Sequence, residues 1–273
     1  MRFSNRIENG RARLVETGPD GWVLGPAKVE WLEESALPTE EHDGWGVPVS
    51  NTARIICVGL NYSDHAAELG EPDPEYPALF VRFLSSFTGH EQVLSYPAGS
   101  SQFDFEGELA VVIGKKARSV SAAHALEHVF GYTIANDGSA RDFQFRSQQW
   151  VSGKIFDKSG GLGPSIVSVE EVPPGADGLK IETRLNGETI QSSNTNQLIF
   201  SVADIVSEIS QIMTLLPGDL ILTGTPAGVG ISRKPQIFMQ PGDICEVEIE
   251  GIGILRNTVS DRVVEQQHDG GEG

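Results

Sequence analysis

The 273-residue chain is short of several things, and each shortage closes a line of interpretation. It has two cysteines, Cys57 and Cys245, each inside an apolar, strand-like run and with no CxxC spacing. That excludes a disulfide framework and a structural zinc site, and it leads us to expect buried free thiols in a reducing cytoplasm. Positive charge is scarce, with 20 Lys and Arg against 38 Asp and Glu and a net charge of −18. Such a field repels phosphate backbones, so nucleic acid is not an expected partner. No apolar run approaches the length of a membrane span, and residues 1–8 lack the apolar core of a signal peptide, so no membrane partner is expected. Two common catalytic signatures are missing as well. There is no GxSxG, and the glycine-rich run at 224–230 lacks both the Lys-Ser/Thr of a phosphate loop and the GxGxxG order.

What is present centres on acid. Residues 104–114 alternate strictly, with Asp104, Glu106, Glu108, Ala110 and Val112 on one parity and Phe105, Gly107, Leu109, Val111 and Ile113 on the other. Period-two alternation predicts a strand with one apolar face. Glu106 and Glu108 then leave it on the same side, roughly 7 Å apart by strand rise. Carboxylates held that close repel unless a cation lies between them, and a hard divalent ion takes such oxygen ligands; the plainer reading is a solvated acidic face on an edge strand. Residues 131–136 predict a second strand, at whose end Asp137 precedes a turn that Gly138 permits, and Ser139 with Asp142 has the spacing of a helix start. Asp137 is either a third ligand or a turn residue. No cation adjoins any of the three carboxylates in sequence, so without metal they are expected to repel one another.

Residues 63–69 predict a short helix, with Ser63 as N-cap and Gly70 as stop, followed by a proline-rich stretch over 71–77. A helix so bordered suits a lid. His65 and Glu68 share one of its faces, as an exposed ion pair or as a catalytic pair. Further strands are expected over 12–16, 21–24, 54–60, 179–185, 220–223 and 244–249, and the clearest amphipathic helix over 202–213. Residues 1–50 read as a small N-terminal β extension, 51–262 as the main domain and 263–273 as a disordered tail.

Several of these segments together resemble the fumarylacetoacetate hydrolase family: Cys57-Val58-Gly59-Leu60-Asn61-Tyr62-Ser63-Asp64-His65-Ala66-Ala67-Glu68, Phe105-Glu106-Gly107-Glu108-Leu109, Asn136-Asp137-Gly138-Ser139-Ala140-Arg141-Asp142, Gly153-Lys154, Pro217-Gly218-Asp219, Thr223-Gly224-Thr225-Pro226 and Glu250-Gly251-Ile252-Gly253. They agree in order and spacing over roughly residues 51–260, which is more specific than one motif. The resemblance implies a strand-rich α+β fold, a mixed β-roll with a small N-terminal β domain, in a homodimer. It implies Mg2+ or Mn2+ on Glu106, Glu108 and Asp137, water activation by His65 and Glu68, and Lys154 near a substrate oxyanion. Tyr62, Arg82, Arg141, Gln144 and Thr225 fall at substrate-contacting positions. Arg82 stands where many members have lysine, and Gly138 where a larger residue usually follows the metal aspartate.

The activity so implied is metal-dependent hydrolysis of a C–C bond in an acylpyruvate or related 2,4-dioxo acid, including a 2,4-diketo-3-deoxy sugar acid, giving pyruvate and a carboxylic acid. Oxaloacetate decarboxylation, or isomerisation of an unsaturated dioxo acid, is the alternative on the same fold. A non-catalytic metal-binding scaffold would show a degraded site, and every carried-over position keeps a competent residue.

Overall fold

Runs rich in Val and Ile form many of the strands that dominate the regular structure of this molecule. The structure is a computed structural model and describes residues 1–261 apart from 20 and 41, so the tail expected over 263–273 lies outside the described residues. The elements needed here are β1 (Arg2–Glu8), β2 (Arg11–Thr17), β3 (Val23–Pro26), β4 (Ile55–Gly59), α1 (Ser63–Leu69), β5 (Ala78–Arg82), β6 (Gly107–Ile113) and β7 (Val129–Asn136). They continue as α2 (Arg141–Gln144), β8 (Gly160–Ser168), β9 (Lys180–Leu185), β10 (Glu188–Asn194), α3 (Val202–Ile212), β11 (Leu220–Leu222), β12 (Ile244–Ile249) and β13 (Gly253–Val259).

One 11-stranded sheet runs β3-β2-β1-β8-β7-β6-β11-β4-β5, and a 5-stranded sheet begins β10-β9-β12-β13. Along the main path only β11 and β4 pair in parallel. The N-terminal strands continue this sheet, because β1 pairs with β8 with Phe3 opposite Ile166. Apolar residues of the following segment, Val29, Leu32, Leu37, Val47 and Val49, then pack on one face of the sheet.

That cover corrects the expectation of a one-faced strand at 104–114. β6 is central, between β7 and β11, and buried along its whole length. Leu109, Val111 and Ile113 join a core with Val247 and Ile249 of the second sheet and Val202, Ile205 and Val206 of α3. Ala110 and Val112 enter the opposite core with Val47, Val49 and Leu220. The acidic residues therefore sit in the interior. The strand is also interrupted at 105–106, and Phe103–Asp104 pairs instead with Ser139–Ala140.

Helix boundaries follow capping chemistry. Ser201 and Asp204 form a reciprocal capping box at the start of α3, and Gly70, with φ 71°, closes α1 in the left-handed region. Two expected starts shift. Tyr62, not Ser63, is the N-cap of α1. Ser139 lies in a short strand and donates to the Asp137 carbonyl at 2.8 Å, so α2 begins at Arg141. Among the described residues no helix is long and apolar enough to cross a membrane.

Candidate active site

Backbone pairing brings the three carboxylates together. Gly107 lies opposite Asn136, so Glu106 and Asp137 are neighbours just beyond that pair. The Asp137 N–H donates to the Glu106 carbonyl at 2.8 Å, and the Glu106 N–H donates to Asn136 Oδ1 at 3.0 Å. One carboxylate oxygen from each of Glu106, Glu108 and Asp137 lies within 4.8 Å of the others, and all three residues are buried.

Folding supplies cations that the local sequence does not, which corrects the expectation of three unattended carboxylates. Lys154 Nζ donates to Glu106 Oε2 at 2.7 Å and to Asp137 Oδ2 at 2.5 Å. Arg141 Nη1 meets Glu106 Oε1 at 2.6 Å, and the Arg82 guanidinium pairs with Asp137. Burial opposes charge on Glu106, yet Lys154 and Arg141 hold its carboxyl well below the usual range. Burial pushes Glu108 well above that range, and the charges of Asp137 and Glu106 push it further. Among the described residues Glu108 has no ion pair; its Oε2 accepts the Gly224 N–H at 2.7 Å.

A fourth buried carboxylate, Asp104, accepts from Arg141 Nε at 2.9 Å and from the N–H groups of Gly230 and Ile231 at 2.7 and 3.0 Å. Four buried carboxylates thus face three buried cations, Lys154, Arg141 and Arg82. The uncompensated negative charge falls on Glu108. Clustered oxygen donors with an uncompensated charge fit a hard divalent cation such as Mg2+ or Mn2+.

The lid residues are held by side-chain contacts. His65 Nδ1 and Glu68 Oε2 are 3.0 Å apart, and Glu68 Oε1 accepts from the Gly228 N–H at 3.0 Å and from Ser232 Oγ at 2.6 Å. Burial would raise the Glu68 pKa, but those bonds from His65, Ser232 and Gly228 lower it overall. Asp64 accepts from Ser193 Oγ at 2.5 Å, so α1 is fastened at two points to the strands and loop beside it.

A cavity of about 290 Å³ is lined by His65, Glu106, Glu108, Arg141, Gln144, Lys154 and Thr225. Gln144 Oε1 accepts from Arg141 Nη1 at 2.9 Å, and Thr225 Oγ1 accepts from Gln191 Nε2 at 2.8 Å. Arg141 Nη2 is buried without a hydrogen-bond partner, a donor open to a ligand. Two expected substrate contacts are corrected. Arg82 is absent from the lining, and its donors are spent on Asp137, Ser86, Ser159 and the Gly138 carbonyl. Tyr62 is fully buried outside the lining, and burial next to Glu108 raises its phenol pKa.

Sequence reasoning missed Asp104 as the anchor of Arg141, and it missed Phe80 and Trp150 in the wall. The acidic alternation contained Asp104, but no local signal marks its partners. Gly138 has a steric cause: a Cβ there would lie 2.0 Å from the Ser159 carbonyl oxygen.

Comparison with known proteins gives consistent matches. Residues 54–260 match the family model described as fumarylacetoacetate (FAA) hydrolase C-terminal. The chain is 46% identical over 214 residues to oxaloacetate tautomerase FAHD2A, mitochondrial, of Homo sapiens, covering 78% of this chain and 68% of that protein. The crystal structure of 5-carboxymethyl-2-hydroxymuconate delta-isomerase from Mycobacterium smegmatis superposes with a TM-score of 0.78 at 34% identity, covering 96% of this chain and 99% of that one. Fumarylpyruvate hydrolase from Pseudomonas aeruginosa, in complex with Mn2+ and pyruvate, gives a TM-score of 0.70 at 33% identity, covering 82% and 93%.

Proposed function

The chain belongs to the fumarylacetoacetate hydrolase family of enzymes, and on that premise we propose that it moves a proton between the enol and keto forms of a 2-oxo acid, with oxaloacetate the first compound to test. The observation that carries this reading is the 46% identity to an oxaloacetate tautomerase, with the site residues described above in place. It takes up the proton-transfer side of the sequence expectation in preference to hydrolysis.

Glu106, Glu108 and Asp137 would hold Mg2+ or Mn2+. When bound, such a cation draws electron density from the oxygens it holds and so eases loss of a proton from the adjacent carbon. The remaining work falls to side chains. Arg141 Nη2 is free to take a substrate carboxylate oxygen. Lys154 keeps its charge, because burial opposes it but Asp137 and Glu106 raise its pKa. His65 carries the proton. Its Nδ1–H is donated to Glu68, which leaves Nε2 to take the enol proton and return it to C3. An ionised Glu68 also stabilises the imidazolium formed in between.

The test is the decay of enol-oxaloacetate, followed by its ultraviolet absorbance with Mg2+ or Mn2+ present. Acceleration is expected, and His65→Asn should reduce it about 10²–10⁴-fold, the range of a general base. No acceleration by the metal-loaded protein refutes the reading. Hydrolysis of a 2,4-dioxo acid stands second, favoured by the His65–Glu68 contact, which suits activation of water equally well. Pyruvate released from an acylpyruvate without enol-oxaloacetate turnover would put it first.

A further inference from the structure

We infer that the site binds 2-oxo acids carrying a flat apolar group, an aryl ring, where oxaloacetate has its second carboxylate. The inference rests on the 2-oxo acid reading and extends its substrate class.

The cavity lining combines a charged cluster with apolar side chains. The charged residues cluster through their own ion pairs, and among the described residues Arg141 Nη2 is a buried donor without a partner. The carboxylate that every 2-oxo acid carries is enough to use it. The rest of the wall is apolar: Leu69, Phe80, Phe145, Trp150, Val229 and Ile231. Glu71 also lines the cavity, and it opposes a second carboxylate there.

This wall is built rather than incidental. Trp150 is seated on Gly59, where any Cβ would come within 2.1 Å of the indole ring. Phe80 meets Trp150 edge to face, with centroids 5.8 Å apart at 73°, and its ring centroid lies 5.3 Å from Lys154 Nζ. Phe80 therefore neighbours both an aromatic and a charged residue of the lining. An apolar substituent on C3 of a bound 2-oxo acid would find Phe80, Trp150 and Phe145 in the lining of the same cavity. Phe145 is 60% exposed and Leu69 46%, so both still have apolar surface to bury.

Binding of two non-reacting analogues tests this without turnover. Oxamate and N-phenyloxamate share the oxo-acid head and differ by one ring. Calorimetry on the Mg2+-loaded full chain is expected to show N-phenyloxamate at least tenfold tighter, the effect of burying most of an aromatic ring. Trp150→Ala should remove most of that gain while leaving oxamate affinity within about threefold. Phe145→Ser, at an exposed position where folding is not at stake, should reduce the gain severalfold. Equal affinities for the two analogues, or a gain that survives in both variants, overturns the inference. Failure of the tautomerase reading shows separately, in the enol-oxaloacetate assay.

Discussion

Replacing Glu108 by glutamine separates the metal from the protein's own charge balance. Glu108 is 2% exposed, accepts one backbone N–H and among the described residues has no ion pair, whereas Glu106 and Asp137 hold Lys154, Arg141 and Arg82. Glutamine keeps an oxygen for the Gly224 N–H and is neutral, the state that burial and the Asp137 and Glu106 charges favour there without metal. In EDTA, Glu108→Gln should therefore melt no lower than wild type. Metal reverses the order. At a free concentration about 100 times its dissociation constant, a cation that binds only the folded chain stabilises it by about 2.7 kcal/mol. Unfolding entropy of about 2.1 cal/mol/K per residue gives about 0.57 kcal/mol/K for 273 residues, so wild type should gain about 5 °C. The variant, short of a ligand, should gain about 1 °C or less. Glu106→Gln should behave differently even in EDTA, losing about 3–5 kcal/mol because Lys154 and Arg141 are left buried beside a neutral group. Differential scanning fluorimetry of the three proteins, with EDTA and with Mg2+ or Mn2+, reads all of this. If metal raises wild type and Glu108→Gln equally, Glu108 is not a ligand. If Glu108→Gln melts several degrees below wild type in EDTA, the charge argument is wrong.

Other outcomes follow from the same contacts. Asp104→Ala strands Arg141 Nε and the N–H groups of Gly230 and Ile231, and should cost about 3–5 kcal/mol in urea unfolding, with Asp104→Asn losing less; a cost below about 1 kcal/mol would refute the anchor. Gly138→Ala forces a Cβ against the Ser159 carbonyl and should lose about 1–3 kcal/mol by the same measurement. Glu68 has its pKa lowered from 4.5 in the folded chain, so its stabilising share is present above that pH and is lost as pH falls through the folded value. The gap between wild type and Glu68→Gln, about 1 kcal/mol or less for a partly exposed pair, should accordingly close as the pH falls below 4.5, and a gap that widens on acidification would contradict the sign. The homodimer implied by the resemblance predicts a light-scattering mass twice the chain's 29.4 kDa.

The sequence by itself determined the local elements and the chemistry on offer. A continuous apolar run marked β4 and two-residue alternation marked β6, because a strand needs side chains that fit a pleated surface. Ser201 with Asp204 fixed where α3 starts, and the order of the motifs around His65, Glu106, Asp137, Lys154 and Thr225 identified the family and the acidic triad. Tertiary structure decided what covers each face and what neutralises each charge. Alternation in β6 reports two faces but cannot say that residues 29–49 will bury the second one, so an edge strand was expected where a central one lies. The partners of the carboxylates come from 17 to 55 residues away, among them Arg141 for Asp104, Lys154 for Glu106 and Asp137, and Arg82 for Asp137, and no local pattern encodes such separations. For the same reason Arg82 and Tyr62 matched substrate positions in sequence, while packing turned both away from the cavity. Strand and helix periodicity is short-range physics, whereas charge compensation in a buried site is set by whichever segments the chain folds against it.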